Sequence, residues 1–276
     1  MRSVTIGGDD YLGETVAVEL AAGPYPLSLR VGHSSRPAPG KSNEDCYAIV
    51  TPAQERAAAT RGSAIAIADG VSRSGAGRFA SEITVSTLLR DFYATPEQWN
   101  VPLAVDRVLR SINDWLLAAN SHHTELEGAV STLSLLLFKG SQYHLVHVGD
   151  TRVYRRRGAA FKQFTRDHTW PRRDMRHVLK RAVGLDTYLV ADYSEGELRA
   201  GDAFLMVSDG VWEVLGEAAL RKIVEHGGDP QQIADELTQR SVRYQAQYMG
   251  RNDATAILAA VSKPNPQSDD GVLDPT

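Results

Sequence analysis

One cysteine, Cys46, is all that 276 residues contain, which excludes an intramolecular disulfide and fits a reducing compartment. No apolar run approaches the length of a membrane span, and the start Met1-Arg2-Ser3-Val4 lacks a signal-peptide core. Positive charge is not in excess: 30 Lys and Arg against 34 Asp and Glu leave a net charge of −4. That balance predicts no general affinity for nucleic acid or an anionic membrane. Gly75 and Gly77 are followed by no Gly-Lys-Ser/Thr, so a phosphate loop is excluded. His122, His123, His144, His147 and His168 share no tight ligand spacing with a carboxylate and read as structural or surface residues. The expectation is a monomeric cytoplasmic protein, or the cytoplasmic piece of a longer one, without membrane contact.

Apolar residues make up 42% of the chain, ample material for a core. Two short apolar runs each end in Asp-Gly: Ala64 to Ala68 before Asp69-Gly70, and Phe204 to Ser208 before Asp209-Gly210. A buried strand that delivers a carboxylate at its tip, followed by a Gly that leaves the carbonyl accessible, presents hard oxygen ligands. A single Asp-Gly pair is an ordinary turn. Two of them, with Asn43-Glu44-Asp45 upstream and Asn252-Asp253 near the C-terminus, point to a divalent-cation site assembled by the fold.

The periodicity predicts strands over 46–51 and 63–68, the second buried on both faces. Helices are predicted over 77–93 and 102–120, the latter with Val105, Val108, Leu109, Ile112, Trp115 and Leu116 on one stripe. Four short strands (132–138, 142–148, 152–157, 161–164) read as one antiparallel meander. Beyond them come a short helix over 175–183, a strand over 188–193, and the strand from Ala203. Helices over 217–226 and 230–248 and a strand over 255–261 complete the pattern. Residues 1–27 predict no firm element, and the polar segment 263–276 reads as a disordered tail or linker. The whole suggests a single domain over 1–262 in which stacked sheets carry helices outside.

In this order the elements resemble the metal-dependent protein phosphatases of the type 2C family, over residues 30 to 262. The resemblance rests on Asn43-Glu44-Asp45, Ala68-Asp69-Gly70-Val71, Gly128 to Thr132, Val148 to Tyr154, Phe164 to His168, Val207 to Trp212 and Asn252 to Ile257. It implies an α+β fold, a four-layer α/β/β/α sandwich, with a dinuclear Mn²⁺ or Mg²⁺ site at one end. It also implies direct attack of an activated water on phosphoserine or phosphothreonine. Two divalent ions can acidify a water and offset phosphoryl charge, so that chemistry requires no nucleophilic Cys. Carried over by motif, Asp69 bridges both ions, Glu44 and the Gly70 carbonyl serve one, Asp209 serves the other, and Asp45 orients ligands and waters. Asp150 matches a position that in the family helps hold a third, weaker ion, with Glu213 nearby. The competing reading has Asp150 simply close a turn.

Three departures stand out. Where the family usually carries a phosphate-clamping Arg this chain has Gly40, with Lys41 and Arg36 as the substitutes at hand. At the C-terminal motif Asn252 occupies the ligand position and Asp253 follows it. Either Asp253 reaches the metal or Asn252 coordinates as a neutral ligand; charge favours Asp253. The flap that many relatives carry between Asp167-His168 and Arg181 is nearly absent. In this, in the residues after Ala68 and in the Trp115 helix the chain looks most like the phosphatase half of bacterial phosphatase–kinase fusions. The expected partners are therefore a phosphorylated protein and a cognate Ser/Thr kinase. Residues 152–181 hold eleven Lys or Arg against two acids, either a solvated face or a docking surface for acidic segments. The rival reading is a pseudophosphatase, a phospho-dependent binding module weakened at Gly40 and Asn252.

Overall fold

The computed structural model describes residues 2–7, 16–20, 27–52, 55–72, 75–172, 174–175, 177–248 and 251–263. In chain order the strands are β1 (Arg2–Gly7), β2 (Val16–Leu20), β3 (Leu27–Arg36), β4 (Asp45–Thr51), β5 (Ser63–Val71), β6 (Val130–Ser131) and β7 (Leu133–Lys139). They continue as β8 (Gln142–Val148), β9 (Arg152–Arg157), β10 (Ala160–Gln163), β11 (Asp192–Glu197), β12 (Ala203–Val207) and β13 (Ala254–Ser262). The helices are α1 (Glu55–Arg61), α2 (Gly77–Ala94), α3 (Val101–His122), α4 (Asp209–Leu215), α5 (Glu217–His226) and α6 (Pro230–Tyr248). One sheet runs β1-β4-β5-β7-β8-β11, with β6 paired to β5; the other runs β10-β9-β12-β13-β3-β2. Among the described residues no helix is long and apolar enough to cross a membrane.

Strand alternation explains the layers. Along β4 and β5, Cys46, Ala48, Ala64, Ala66 and Ala68 pack with Val85, Leu88 and Leu116 of α2 and α3. The intervening Tyr47, Ile49, Ile65 and Ile67 meet Phe204, Met206 and Ile257 of the opposing sheet. On that sheet Leu205, Val207, Ala256 and Leu258 turn the other way, onto Leu220, Ile223 and Leu237 of α5 and α6. Small residues line the helix side of β4 and β5 and large ones fill the space between the sheets, as close packing of four layers requires. Both faces of the central strands are buried, so their sequences read as continuous apolar runs.

Several sequence expectations are corrected. The supposed meander divides between the sheets: β7 pairs with β8, whereas β9 pairs with β10 and β12. The chain crosses at Gly149, whose φ of +107° and contact with Thr132 leave no room for a side chain. Among the described residues of the expected 175–183 no helix forms; turns do, with a Thr169–Leu179 bridge. The strand expected over 188–193 begins at Asp192. Residues 1–27, expected to lack firm elements, contribute the edge strands β1 and β2. The supposed tail lies outside the described residues from 264 onward.

The topology also fixes where the acidic motifs meet. β4 and β5 are antiparallel with Asp45 opposite Asp69, so the start of one lies against the end of the other. β12 and β13 are antiparallel too, with Val207 opposite Ala256. That brings Asp209, just past β12, beside Asn252 and Asp253, just before β13. Chain ends separated by over 200 residues therefore share one end of the sandwich.

Candidate metal centre

A cleft of about 320 Å³ opens at that end, lined by Lys41, Glu44, Asp69, Gly70, Val71, Ser72, His177, Asp209, Glu213, Arg251, Asn252 and Asp253. The motif residues Glu44, Asp69, Gly70, Asp209, Asn252 and Asp253 are thus on one wall system. Asp45 lies beneath it, buried, with Oδ2 accepting from Thr255 Oγ1 at 2.6 Å. Its Oδ1 has no hydrogen-bond partner.

The geometry around Glu44 is tight. Its Oε1 accepts from Gly77 N at 3.1 Å and its carbonyl from Gly70 N at 3.2 Å. A Cβ on Gly70 would lie 1.9 Å from the Gly77 carbonyl oxygen. The Asp-Gly tip and the first residue of α2 therefore need glycine for close backbone approach. On the far side, Asn252 Nδ2 donates to Asp209 Oδ2 at 2.8 Å. The buried Gln245 ties these elements together: Asn252 N donates to its Oε1 at 2.9 Å, and its Nε2 donates to the Gly210 carbonyl at 3.3 Å. Ser241 Oγ donates to that same carbonyl.

Electrostatically the site is under tension. Burial pushes the Asp209 carboxyl up to about 8, with Asp150 and Glu213 adding repulsion. Asp69 is raised well above the usual carboxylate range, first by burial and then by Asp209 and Asp45. Asp45 is raised likewise by burial and by Asp253, although its bond from Thr255 opposes the shift. Asp150, 8% exposed, rises to about 6 through burial and Asp167. Converging buried acids are costly unless something positive neutralises them.

Lys41 Nζ is 3.6 Å from Glu44 Oε2 and also donates to the Arg251 carbonyl. Arg36, expected beside it, is turned away: its Nε donates to Thr238 Oγ1 of α6 and its guanidinium faces Asp235. The register explains this, since Arg36 pairs with Ala254, whose side chain belongs to the helix-side core. Asp253 departs from expectation in another way. Both of its carboxylate oxygens receive backbone N–H groups, Ala38 at 2.6 Å and Glu44 at 2.7 Å. Among the described residues no three acidic, imidazole or thiol groups are already gathered as an ion cage. The donor chemistry nonetheless fits hard divalent cations: the carboxylate oxygens of Glu44, Asp69 and Asp209 line the cleft with the Gly70 backbone, and Asp45 Oδ1 is left without a partner.

Sequence reasoning did not single out His177 or Arg251 as site residues; His177 reaches the cleft from a turn outside any motif and Arg251 as the residue just before Asn252. It read Trp212 as core; its Nε1 donates to the Asp150 carbonyl while Arg152 stacks on its ring at 3.3 Å. Four cations of the basic run 152–181 are ion-paired within the fold: Arg152 on Asp167, Arg157 on Asp202, Arg172 on Asp174 and Arg181 on Asp192. His147 and His168 are structural. His147, 1% exposed, bonds Ser134 Oγ at 2.9 Å, and burial pushes it down to about 4. A lowered folded value means the unfolded chain takes up the proton first, so this residue's contribution is lost as pH falls from about 6.5 towards 4. Relative to a His147→Asn variant, wild type is expected to lose about 3 kcal/mol over that window. Urea midpoints measured for both proteins across it check this; parallel midpoints would rule it out.

Residues 35–249 match the sequence profile of the family described as Protein phosphatase 2C. Serine/threonine protein phosphatase PstP of Mycobacterium tuberculosis is 26% identical over 179 residues, 58% of this chain and 34% of that protein. The chain thus spans well under two thirds of that relative's length. Protein phosphatase PhpP of Streptococcus pneumoniae is 24% identical over 228 residues, 72% of this chain and 86% of its own. The crystal structure of the PstP catalytic domain with two manganese ions superposes with a TM-score of 0.70 at 26% identity, covering 86% of this chain and 99% of that one. Stp1 of Staphylococcus aureus, at 20% identity, shares the fold with a TM-score of 0.73 over 83% of this chain and 94% of its own. With the profile match covering most of the sequence, the layered sandwich and the clustered acids at its end place this chain in the protein phosphatase 2C family.

Proposed function

We propose that this chain is a metal-dependent phosphoprotein phosphatase of the cytoplasm, acting on phosphoserine and phosphothreonine and working opposite a Ser/Thr kinase in signalling. The observation that carries the proposal is the convergence of Glu44, Asp69 and Asp209, from three distant segments, on one cleft. The two manganese ions in the PstP structure support Mn²⁺ or Mg²⁺ as the cofactor here. Asp69 would serve both ions, Glu44 and the Gly70 carbonyl one, and Asp209 with Asn252 the other, while Asp150 and Glu213 would be the candidates for a third. When bound, such ions supply an acidified water as nucleophile and offset the charge of the phosphoryl group. Asp45 would orient the set from below through its free Oδ1. Cys46 takes no part: it is fully buried against the helix layer, and burial pushes its thiol up to about 12. The pseudophosphatase reading draws on Gly40 and Asn252, but a binding module has no need for repelling carboxylates at such electrostatic cost. Hydrolysis of p-nitrophenyl phosphate with Mn²⁺, with Mg²⁺ and with EDTA tests the proposal; no metal-dependent turnover would sink it.

Of the two cations the sequence offered for the substrate phosphate, Lys41 lines the cleft and Arg36 does not, which supports Lys41 in that role. Lys41→Ala is expected to lower kcat/KM by roughly 1.5–3 kcal/mol, as for a hydrogen bond to a charged group. Arg36→Ala should leave kcat/KM near wild type, because that side chain is committed to α6. Steady-state kinetics of the two variants compares them, and a larger loss at Arg36 would reverse the assignment.

A further inference from the structure

Resting on the phosphatase reading, we infer that His177 is the general acid that protonates the leaving serine or threonine oxygen. Hydrolysis of an alkyl phosphate expels an alkoxide, a poor leaving group that needs a proton as the P–O bond breaks. Among the described residues lining the cleft, the candidates with a proton to give are Lys41, Arg251, the acids and His177. Ammonium and guanidinium groups hold their protons too tightly near neutral pH. The carboxyls are the groups that would bind cations, and must be deprotonated to do so. His177 contributes the one imidazole, the side chain suited to proton transfer near neutrality.

Its mounting supports the role. His177 sits in the short turn-rich segment that replaces a longer flap. That segment is closed by Val178 N donating to the Met175 carbonyl and Trp170 N to the Val178 carbonyl. Its base is fastened by His168, whose N donates to the Gly149 carbonyl at 2.7 Å and whose Nδ1 accepts from Gly149 N at 3.2 Å. Gly149 immediately precedes Asp150, so the segment is fixed to the same crossover that carries a site acid. His177 is exposed and lines the cleft together with Glu44, Asp69 and Asp209.

The step balances without a further reactant. Water adds to phosphorus, and the P–O bond to the substrate breaks with its electron pair on the side-chain oxygen. That oxygen takes the imidazolium proton, and the proton released from the attacking water restores the imidazolium.

A leaving-group comparison tests this. p-Nitrophenolate departs as a stable anion and gains little from an acid, whereas a serine alkoxide gains much. For His177→Gln, kcat on a phosphoserine peptide is expected to fall about 10²–10⁴-fold further than kcat on p-nitrophenyl phosphate. Added imidazole should restore part of the peptide rate to His177→Ala. Equal losses on both substrates, or no loss on the peptide, would overturn the inference while leaving the phosphatase reading intact. A wild-type protein inert towards both substrates with Mn²⁺ would overturn the reading and the inference together.

Discussion

Asp69→Ala is expected to lower kcat by several orders of magnitude while leaving the metal-free protein no less stable than wild type. The first part follows from position: Asp69 stands opposite Asp45 in the strand register, within hydrogen-bonding reach of Asp209, and lines the cleft with it. Removing it takes away the carboxylate proposed to serve both ions. The second part follows from the sign of the electrostatics. A carboxyl whose folded value is raised opposes folding once pH exceeds its ordinary value, since the folded state must retain a proton or tolerate repulsion. Its removal relieves Asp209 and Asp45 as well. Function and stability should therefore move in opposite directions, as at sites held under tension for activity. Thermal melts without metal, paired with rates in Mn²⁺, measure both. A metal-free melting temperature well below wild type would mean that Asp69 is structural, and activity surviving EDTA or lost on alkylation of Cys46 would remove the metal-based mechanism.

Much of this arrangement was legible in the sequence because it is local. An apolar run closed by Asp-Gly already states that a strand ends in a carboxylate, and antiparallel pairing then needs only adjacency to bring two such tips together. Helices α3, α5 and α6 declare themselves by apolar spacing. What escaped was non-local. Four strands separated by short turns read as a meander, yet Gly149 takes a left-handed φ and carries the chain into the second sheet. The sequence around 175–183 has helical spacing, but among its described residues Lys180 and Arg181 donate backbone bonds to His168, and Val183 pairs with Ser131. His177 lies in no motif, and only the folding back of that segment brings it to the cleft. Arg36 illustrates the opposite error: proximity in sequence to Glu44 suggested a shared site, and strand alternation pointed it at α6 instead.

The C-terminal acid shows how a charge argument can be met by hydrogen bonds instead. Neutral Asn is the poorer ligand for a hard cation, so the sequence alone favours Asp253 over Asn252. In the fold, Asp253 is 7% exposed and its two oxygens take the N–H groups of Ala38 and Glu44. It fastens the loop after β3 to the start of β13 and sets the backbone of Glu44. Asp253→Ala is therefore expected to destabilise the metal-free protein by roughly 3–6 kcal/mol, two bonds to a charged acceptor at about 1.5–3 kcal/mol each. Asn252, whose amide rests on Asp209 at the cleft wall, is the residue free to change partner. Asn252→Asp should lower the Mn²⁺ concentration for half-maximal rate, and Asn252→Ala should raise it. Denaturant titration without metal and calorimetric titration with Mn²⁺ separate the two roles. If Asp253→Ala keeps wild-type metal-free stability yet needs far more Mn²⁺, Asp253 is a ligand after all. The two amides would then be incidental to it, and the second ion would be held by a full set of carboxylates.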